Sequence, residues 1–85
     1  MTTLLSQAAI ENWLIGRVAE LTETKPDLID PEVALQSYGV TSLMAVEIAA
    51  DAEDLLKIPI DSTVTWDYPS IAKLAAHLWL EIRSV

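Results

Sequence analysis

The chain has no cysteine and no phenylalanine, two glycines, one histidine, and five basic residues against 13 acidic ones. Without cysteine there is no disulfide staple, no thiol nucleophile and no cysteine-rich metal centre, so stability must come from packing. A lone His77 cannot supply a His-rich metal site and has no evident partners for a Ser-His-Asp arrangement. It falls between Lys73 and Glu81 in the sequence and is expected as a solvated surface residue. The two glycines, Gly16 and Gly39, stand far apart, which excludes a glycine-rich phosphate loop and favours helix over a β-rich fold. A formal charge of −8 argues against nucleic acid as a partner, because binding phosphates depends on Lys and Arg. No run approaches the roughly 20 apolar residues that span a bilayer, and no membrane partner is expected. The opening Met1 to Ser6 lacks a basic n-region, so a signal peptide is not expected and a cytoplasmic location is.

What is present is mostly apolar, at 52% of 85 residues. That suits one small domain, expected over 1–85 with its core from about 6 to 83. Trp13, Trp66 and Trp79, with the aliphatic residues, are expected to fill the interior. Residues 1 to 5 read as a lead-in, and Ser6 as the cap of a first helix running to about Glu23 with a stripe of Ile10, Leu14 and Leu21 flanked by Trp13 and Val18. From Thr24 to Thr41 helical periodicity stops and Pro26 and Pro31 enter, predicting a long, partly ordered loop pinned by Leu28, Ile29, Val33, Leu35 and Tyr38. Asp30-Pro31-Glu32 offers a short helical turn within it. Gly39 is expected in a backbone conformation that side chains resist.

Periodicity returns at Ser42 and runs to about Leu56. Met44, Ile48, Ala52 and Leu55, with Ala45, Ala49 and Leu56 beside them, form the inward face. Leu43, Val46, Glu47, Ala50, Glu53 and Asp54 lie on the other side, toward water or a partner. Lys57 to Ile60 is a tight connection with Ile58 and Ile60 inward. Asp61 or Ser62 is the expected cap of a short helix through Trp66, weakened by β-branched Thr63, Val64 and Thr65. Tyr68-Pro69 stops it, and Ser70 caps a last helix with the stripe Ile71, Leu74, Ala75, Leu78 and Ile82, leaving Leu80 exposed. The fold class is therefore all-α, a bundle of three main helices plus one short one.

No group of side chains converges as a catalytic or metal site. Glu53 and Asp54 are adjacent on a helix and diverge. A serine at a helix N-terminus is ordinarily a cap, and from composition and periodicity alone Ser42 could be only that.

Two motifs change the reading. Tyr38-Gly39-Val40-Thr41-Ser42-Leu43, followed by Val46-Glu47-Ile48, resembles the attachment motif of acyl carrier proteins, usually Gly-x-Asp-Ser-Leu. Trp66-Asp67-Tyr68-Pro69-Ser70-Ile71 resembles the stretch opening the last helix of polyketide synthase carrier domains. The resemblance covers about Ile10 to Ile82. It implies an acyl-carrier-like bundle in which Ser42 bears 4'-phosphopantetheine, donated by coenzyme A through a Mg-dependent phosphopantetheinyl transferase. The carrier would not be an enzyme; acyl or polyketide intermediates would ride on it as thioesters.

Implied partners are the transferase, a ketosynthase, an acyltransferase or acyl-activating enzyme, and other synthase domains. Leu43, Val46, Glu47, Ala50, Glu53 and Asp54 are the candidate contact surface, and the isolated domain is expected to be a monomer. Thr41 stands where the family usually has aspartate. Its hydroxyl can still cap the helix, without the negative charge that favours a helix N-terminus, and recognition by a generic transferase is the property this departure bears on. Ile48 stands where the β-branching subgroup has tryptophan, which disfavours that specialisation. Two alternatives stay open: a peptidyl carrier of nonribosomal synthesis, and an unmodified helical interaction module.

Overall fold

The computed structural model describes residues 6–84; the expected lead-in at 1 to 5 lies outside them. Four α-helices follow one another: α1 Gln7–Thr22, α2 Ser42–Leu56, α3 Val64–Asp67 and α4 Ile71–Arg83. Two 3-10 turns, Pro26–Leu28 and Leu35–Tyr38, lie between α1 and α2. This is the all-α bundle of three main helices and one short one expected from the sequence.

Local chemistry sets the helix ends. Ser6 accepts from the Ala9 N–H at 3.1 Å and Ser70 from the Lys73 N–H at 3.2 Å, each satisfying a first-turn donor with no partner inside its helix. At the C-termini of α1 and α2, non-glycine residues take the left-handed conformation, Glu23 at φ 54° and Lys57 at φ 59°. Their N–H groups return to carbonyls in the last turn of each helix. Glycine is kept for Gly39, at φ 84°, which turns the chain toward α2 as expected.

The core joins Ile10, Leu14 and Val18 of α1, Ile48, Ala49 and Ala52 of α2, and Ile71, Leu74, Ala75 and Leu78 of α4. The main helix contact is α1 against α4, the two ends of the described chain. Burying each large aliphatic side chain contributes about 1.5–3 kcal/mol before conformational entropy is subtracted. Across the bundle, Arg17 of α1 pairs with Asp51 of α2 at 2.5 Å.

Several expectations need correction. The interhelical loop is ordered, tied by backbone hydrogen bonds to the start of α4. Leu35 N–H donates to Pro69 O at 2.8 Å, Ala72 N–H donates to Pro31 O at 2.9 Å, and Ala34 and Ser70 form an isolated antiparallel bridge. Asp30 opens a turn, its carboxylate accepting from Glu32 N–H at 2.9 Å, and no helical turn forms there. Leu28 is 67% exposed, because the first 3-10 turn directs Ile29 inward; Val33 and Tyr38 are half-buried.

On α2 the buried face centres on Ala45, Ile48, Ala49, Ala52 and Leu56, so Met44 and Leu55 are only half-buried. Leu21, Ile60 and Ile82 likewise sit at the rim. α3 starts at Val64, and Asp61 closes the turn before it. Since Val64 and Thr65 face inward on a single helical turn, Trp66 is 51% exposed and does not fill the core, while Trp13 and Trp79 pack partly buried against it. His77 is half-buried and stacks on Tyr68, with ring centroids 4.0 Å apart. The Tyr68 ring supplies the apolar cover that a residue read as solvated was not expected to have.

Candidate functional site

The site is the junction where the loop becomes α2. The clamp to α4 fixes the second 3-10 turn. The Tyr38 hydroxyl braces the loop from the other side, accepting from Asp30 N–H at 2.6 Å and donating toward Asp30 O at 3.3 Å. Gly39 then reverses the chain, half-buried Val40 packs against the core, and Thr41 arrives extended at ψ 171°.

Thr41 is the N-cap of α2. Its hydroxyl accepts from Met44 N–H at 3.2 Å, and its carbonyl accepts from Ala45 N–H at 2.9 Å. Ser42 is therefore the first residue of the helix, and its ordinary role as a cap is already filled. Its side chain is exposed, and its hydroxyl has no hydrogen-bond partner among the described residues.

The Ser42 and Leu43 N–H groups likewise find no acceptor there, as expected of the first turn of a helix. No acidic side chain occupies that turn. Uncommitted amides, the positive end of the helix dipole and the absence of a local carboxylate together favour an anion attached to Ser42. The residues present thus fit a phosphate ester at this hydroxyl.

The surface beside Ser42 holds the residues singled out from the sequence. Leu43 is 70% and Val46 45% exposed, and Glu47, Ala50, Glu53 and Asp54 are also exposed. The acids differ in commitment. Glu53 accepts from Ile60 N–H at 2.8 Å, Asp54 lies 3.9 Å from Lys57, and Asp51 is held by Arg17. Burial would lower the Arg17 pKa, but the hydrogen bonds and charges of Asp51 and then Glu20 together outweigh it and raise the pKa above its ordinary value. Glu47 has no charged partner among the described residues.

His77 lines a separate crevice between α3 and α4 with Asp61, Asp67, Tyr68 and Glu81, and Ser42 is not part of it. Among the described residues no titratable side chain is hydrogen-bonded to the Ser42 hydroxyl as a general base would be.

Sequence reasoning missed one feature of the junction. A cavity of about 100 Å³ lies between the second 3-10 turn, the head of α2 and α3, lined among others by Leu35, Val40, Thr41, Ala45, Thr65 and Trp66. Thr65 is 5% exposed, and its hydroxyl is buried with no partner among the described residues. In the sequence Thr65 stood out only as one of three β-branched residues that weaken α3.

Comparison with known proteins gives the site a context. Residues 12–78 match a family model described as "Phosphopantetheine attachment site". The chain is 30% identical over 76 residues to a phenolphthiocerol/phthiocerol polyketide synthase of Mycobacterium tuberculosis, covering 89% of this chain and 4% of that protein. It is 31% identical over 68 residues to 6-methylsalicylic acid synthase of Penicillium expansum, covering 80% of this chain and again 4% of the relative. The chain thus spans a small fraction of these curated relatives.

Among solved structures, a free-standing peptidyl carrier protein from a secondary metabolic pathway of Acinetobacter baumannii superposes with a TM-score of 0.87 at 35% identity, over 91% of this chain and 96% of that one. The HMG-ACPI domain of the CurA module of Lyngbya majuscula superposes with a TM-score of 0.86 over 99% of this chain and 85% of its own. At 19% identity that likeness shows the fold alone.

Proposed function

Because the chain belongs to the phosphopantetheine attachment site family, and is a carrier protein of that family, we propose that Ser42 is its attachment residue and that it serves a polyketide-type synthase. The family's covalent 4'-phosphopantetheine supplies a thiol on which acyl groups ride as thioesters. The observation that carries the assignment is the division of labour at the head of α2: Thr41 caps the helix and leaves the Ser42 hydroxyl exposed and unengaged.

In the transfer, Ser42 Oγ forms a bond to the pantetheine-bearing phosphorus of coenzyme A. The bond from that phosphorus to the bridging oxygen breaks, the adenosine bisphosphate portion leaves, and the hydroxyl proton passes to a base of the transferase. The first-turn amides of α2 then face the new phosphodiester. Leu43, Val46, Glu47, Ala50, Glu53 and Asp54 form the surface that meets the transferase, ketosynthase, acyltransferase or acyl-activating enzyme and other synthase domains. Brief, charge-steered encounters suit a carrier that must release each partner. Tethering raises the local concentration of each intermediate without new contacts. We take the domain over 1–85 as a unit, monomeric in isolation, working in the cytoplasm. Among the described residues no helix is long and apolar enough to cross a membrane.

The polyketide relatives favour that branch, while the 35% identity to a peptidyl carrier keeps aminoacyl cargo as the second reading. The interaction-module reading loses its premise that Ser42 is the helix cap. The test is intact mass after incubation with coenzyme A, Mg and a broad-specificity phosphopantetheinyl transferase. One addition, absent in Ser42→Ala, is expected. No addition with that transferase or with one from the source organism overturns the assignment.

A further inference from the structure

The loop ahead of Ser42 contains one fixed point and one free joint. Asp30 is the fixed point, since all three of its polar groups are engaged. Its carboxylate accepts from Glu32 N–H at 2.9 Å, its carbonyl accepts from Val33 N–H at 3.1 Å, and its own N–H donates to the Tyr38 hydroxyl at 2.6 Å. Pro31, the next residue, holds the head of α4 through Ala72 N–H. Gly39 is the free joint. A Cβ there would meet no atom within 4 Å, so no neighbour packs against this residue, and glycine takes positive and negative φ about equally well. Tyr38 stands between the two. It ends the second 3-10 turn, directly precedes Gly39, and packs its ring against the core.

We infer that Tyr38 is a positioning residue for modification at Ser42: its hydroxyl, anchored on the Asp30 backbone, holds the approach to Gly39 in the arrangement that presents the serine to a transferase. The inference rests on attachment at Ser42. Thr41 caps α2 through its own hydroxyl, so loss of the Tyr38 hydroxyl leaves the helix intact and frees the joint before it. Each net hydrogen bond biases such an equilibrium about fivefold. The Tyr38 hydroxyl makes two, the second donated to Asp30 O at 3.3 Å. A transferase that accepts only the closed junction binds the carrier with an affinity reduced by the closed fraction. Once the complex has formed, the enzyme holds the joint and the chemistry is unaffected. Tyr38 therefore acts on KM for the carrier and not on kcat.

The test is Tyr38→Phe, which keeps the ring and its packing. Modification from coenzyme A is followed by intact mass at varied concentrations of the unmodified carrier, beside amide hydrogen exchange of the same protein. KM for the carrier is expected to rise about fivefold, the effect of one net hydrogen bond, with kcat unchanged. Exchange of Gly39 N–H, which donates to Gln36 O, is expected to quicken by a similar factor. Ala45 N–H, bonded to Thr41 O, and Leu74 N–H, bonded to Ser70 O, are expected to keep wild-type protection. A general loss of stability would instead release those amides as well. Tyr68→Phe removes the other tyrosine hydroxyl of the chain and is expected to match wild type throughout. Failure of the wild-type protein to be modified refutes the Ser42 reading itself, and this role with it. In a wild-type protein that is modified, three results for Tyr38→Phe would each overturn the proposal alone: an unchanged KM, a loss confined to kcat, or a raised KM with wild-type exchange at Gly39, as direct contact of the hydroxyl with the transferase would give.

Discussion

Replacing Thr41 and Ser42 one at a time separates holding the helix from the role proposed for Ser42, bearing the arm. Thr41→Ala removes the hydroxyl that accepts from Met44 N–H at 3.2 Å and is expected to destabilise the apo protein by about 1 kcal/mol, within the 0.5–2 kcal/mol range for lost caps. For a domain of this size that lowers Tm by roughly 4–8 °C. Ser42→Ala removes an exposed hydroxyl with no partner among the described residues and is expected to stay within about 0.5 kcal/mol of wild type while losing all modification. Thr41→Asp keeps an acceptor and adds a charge favourable at a helix N-terminus, a gain of about 0.3–1 kcal/mol in the apo form. That gain should shrink on modification, because the carboxylate then lies beside a phosphate. Urea unfolding followed by helical circular dichroism, with an unchanged m-value, measures each difference. A Ser42→Ala loss as large as that of Thr41→Ala would refute the division of labour.

Two further predictions concern surfaces around the site. Hydrogen bonds from the Thr63 backbone N–H and Thr63 hydroxyl hold the Asp61 carboxylate below its ordinary pKa of 3.8. Its contribution is therefore complete above pH 3.8 and lost as pH falls through the depressed value. Asp61→Asn should remove that part of the acid sensitivity of amide exchange in α3, and an identical acid response would count against it. Glu47→Lys reverses an exposed charge with no charged partner among the described residues. At about 10 Å from a partner cation in water the reversal changes the interaction by roughly 0.8 kcal/mol, so modification or acyl transfer should slow about fourfold at low salt and recover at high salt. Equal rates at low salt would remove the steering role. Glu47 is a cleaner probe than Glu53, whose reversal would also break the bond to Ile60 N–H.

The parts legible in the sequence were those that local chemistry determines. Ser6, Thr41 and Ser70 cap where their hydroxyls precede apolar periodicity, Gly39 takes the positive φ, and α4 follows its stripe. Non-local pairing was not legible. The bonds from Leu35 to Pro69 and from Ala72 to Pro31 use backbone groups, which leave no side-chain pattern, so an ordered segment read as a partly ordered loop. Composition likewise could not show which aromatic residues face inward. Trp66 emerges because α3 is a single turn, and His77 is covered because Tyr68 folds onto it. The Ser42 motif was visible, but the cavity behind it depends on three separate segments meeting, and no one of them announces it.

The clamp between the loop and α4 also orders events during synthesis. The serine motif leaves the ribosome well before Pro69 and Ala72, yet the backbone that shapes its approach has no partners until those residues are available. A nascent or truncated chain therefore displays the letters of the attachment motif without its form. On the proposed attachment at Ser42, completion of the domain becomes a condition for presenting that serine, and an arm would be reserved for chains already folded around it.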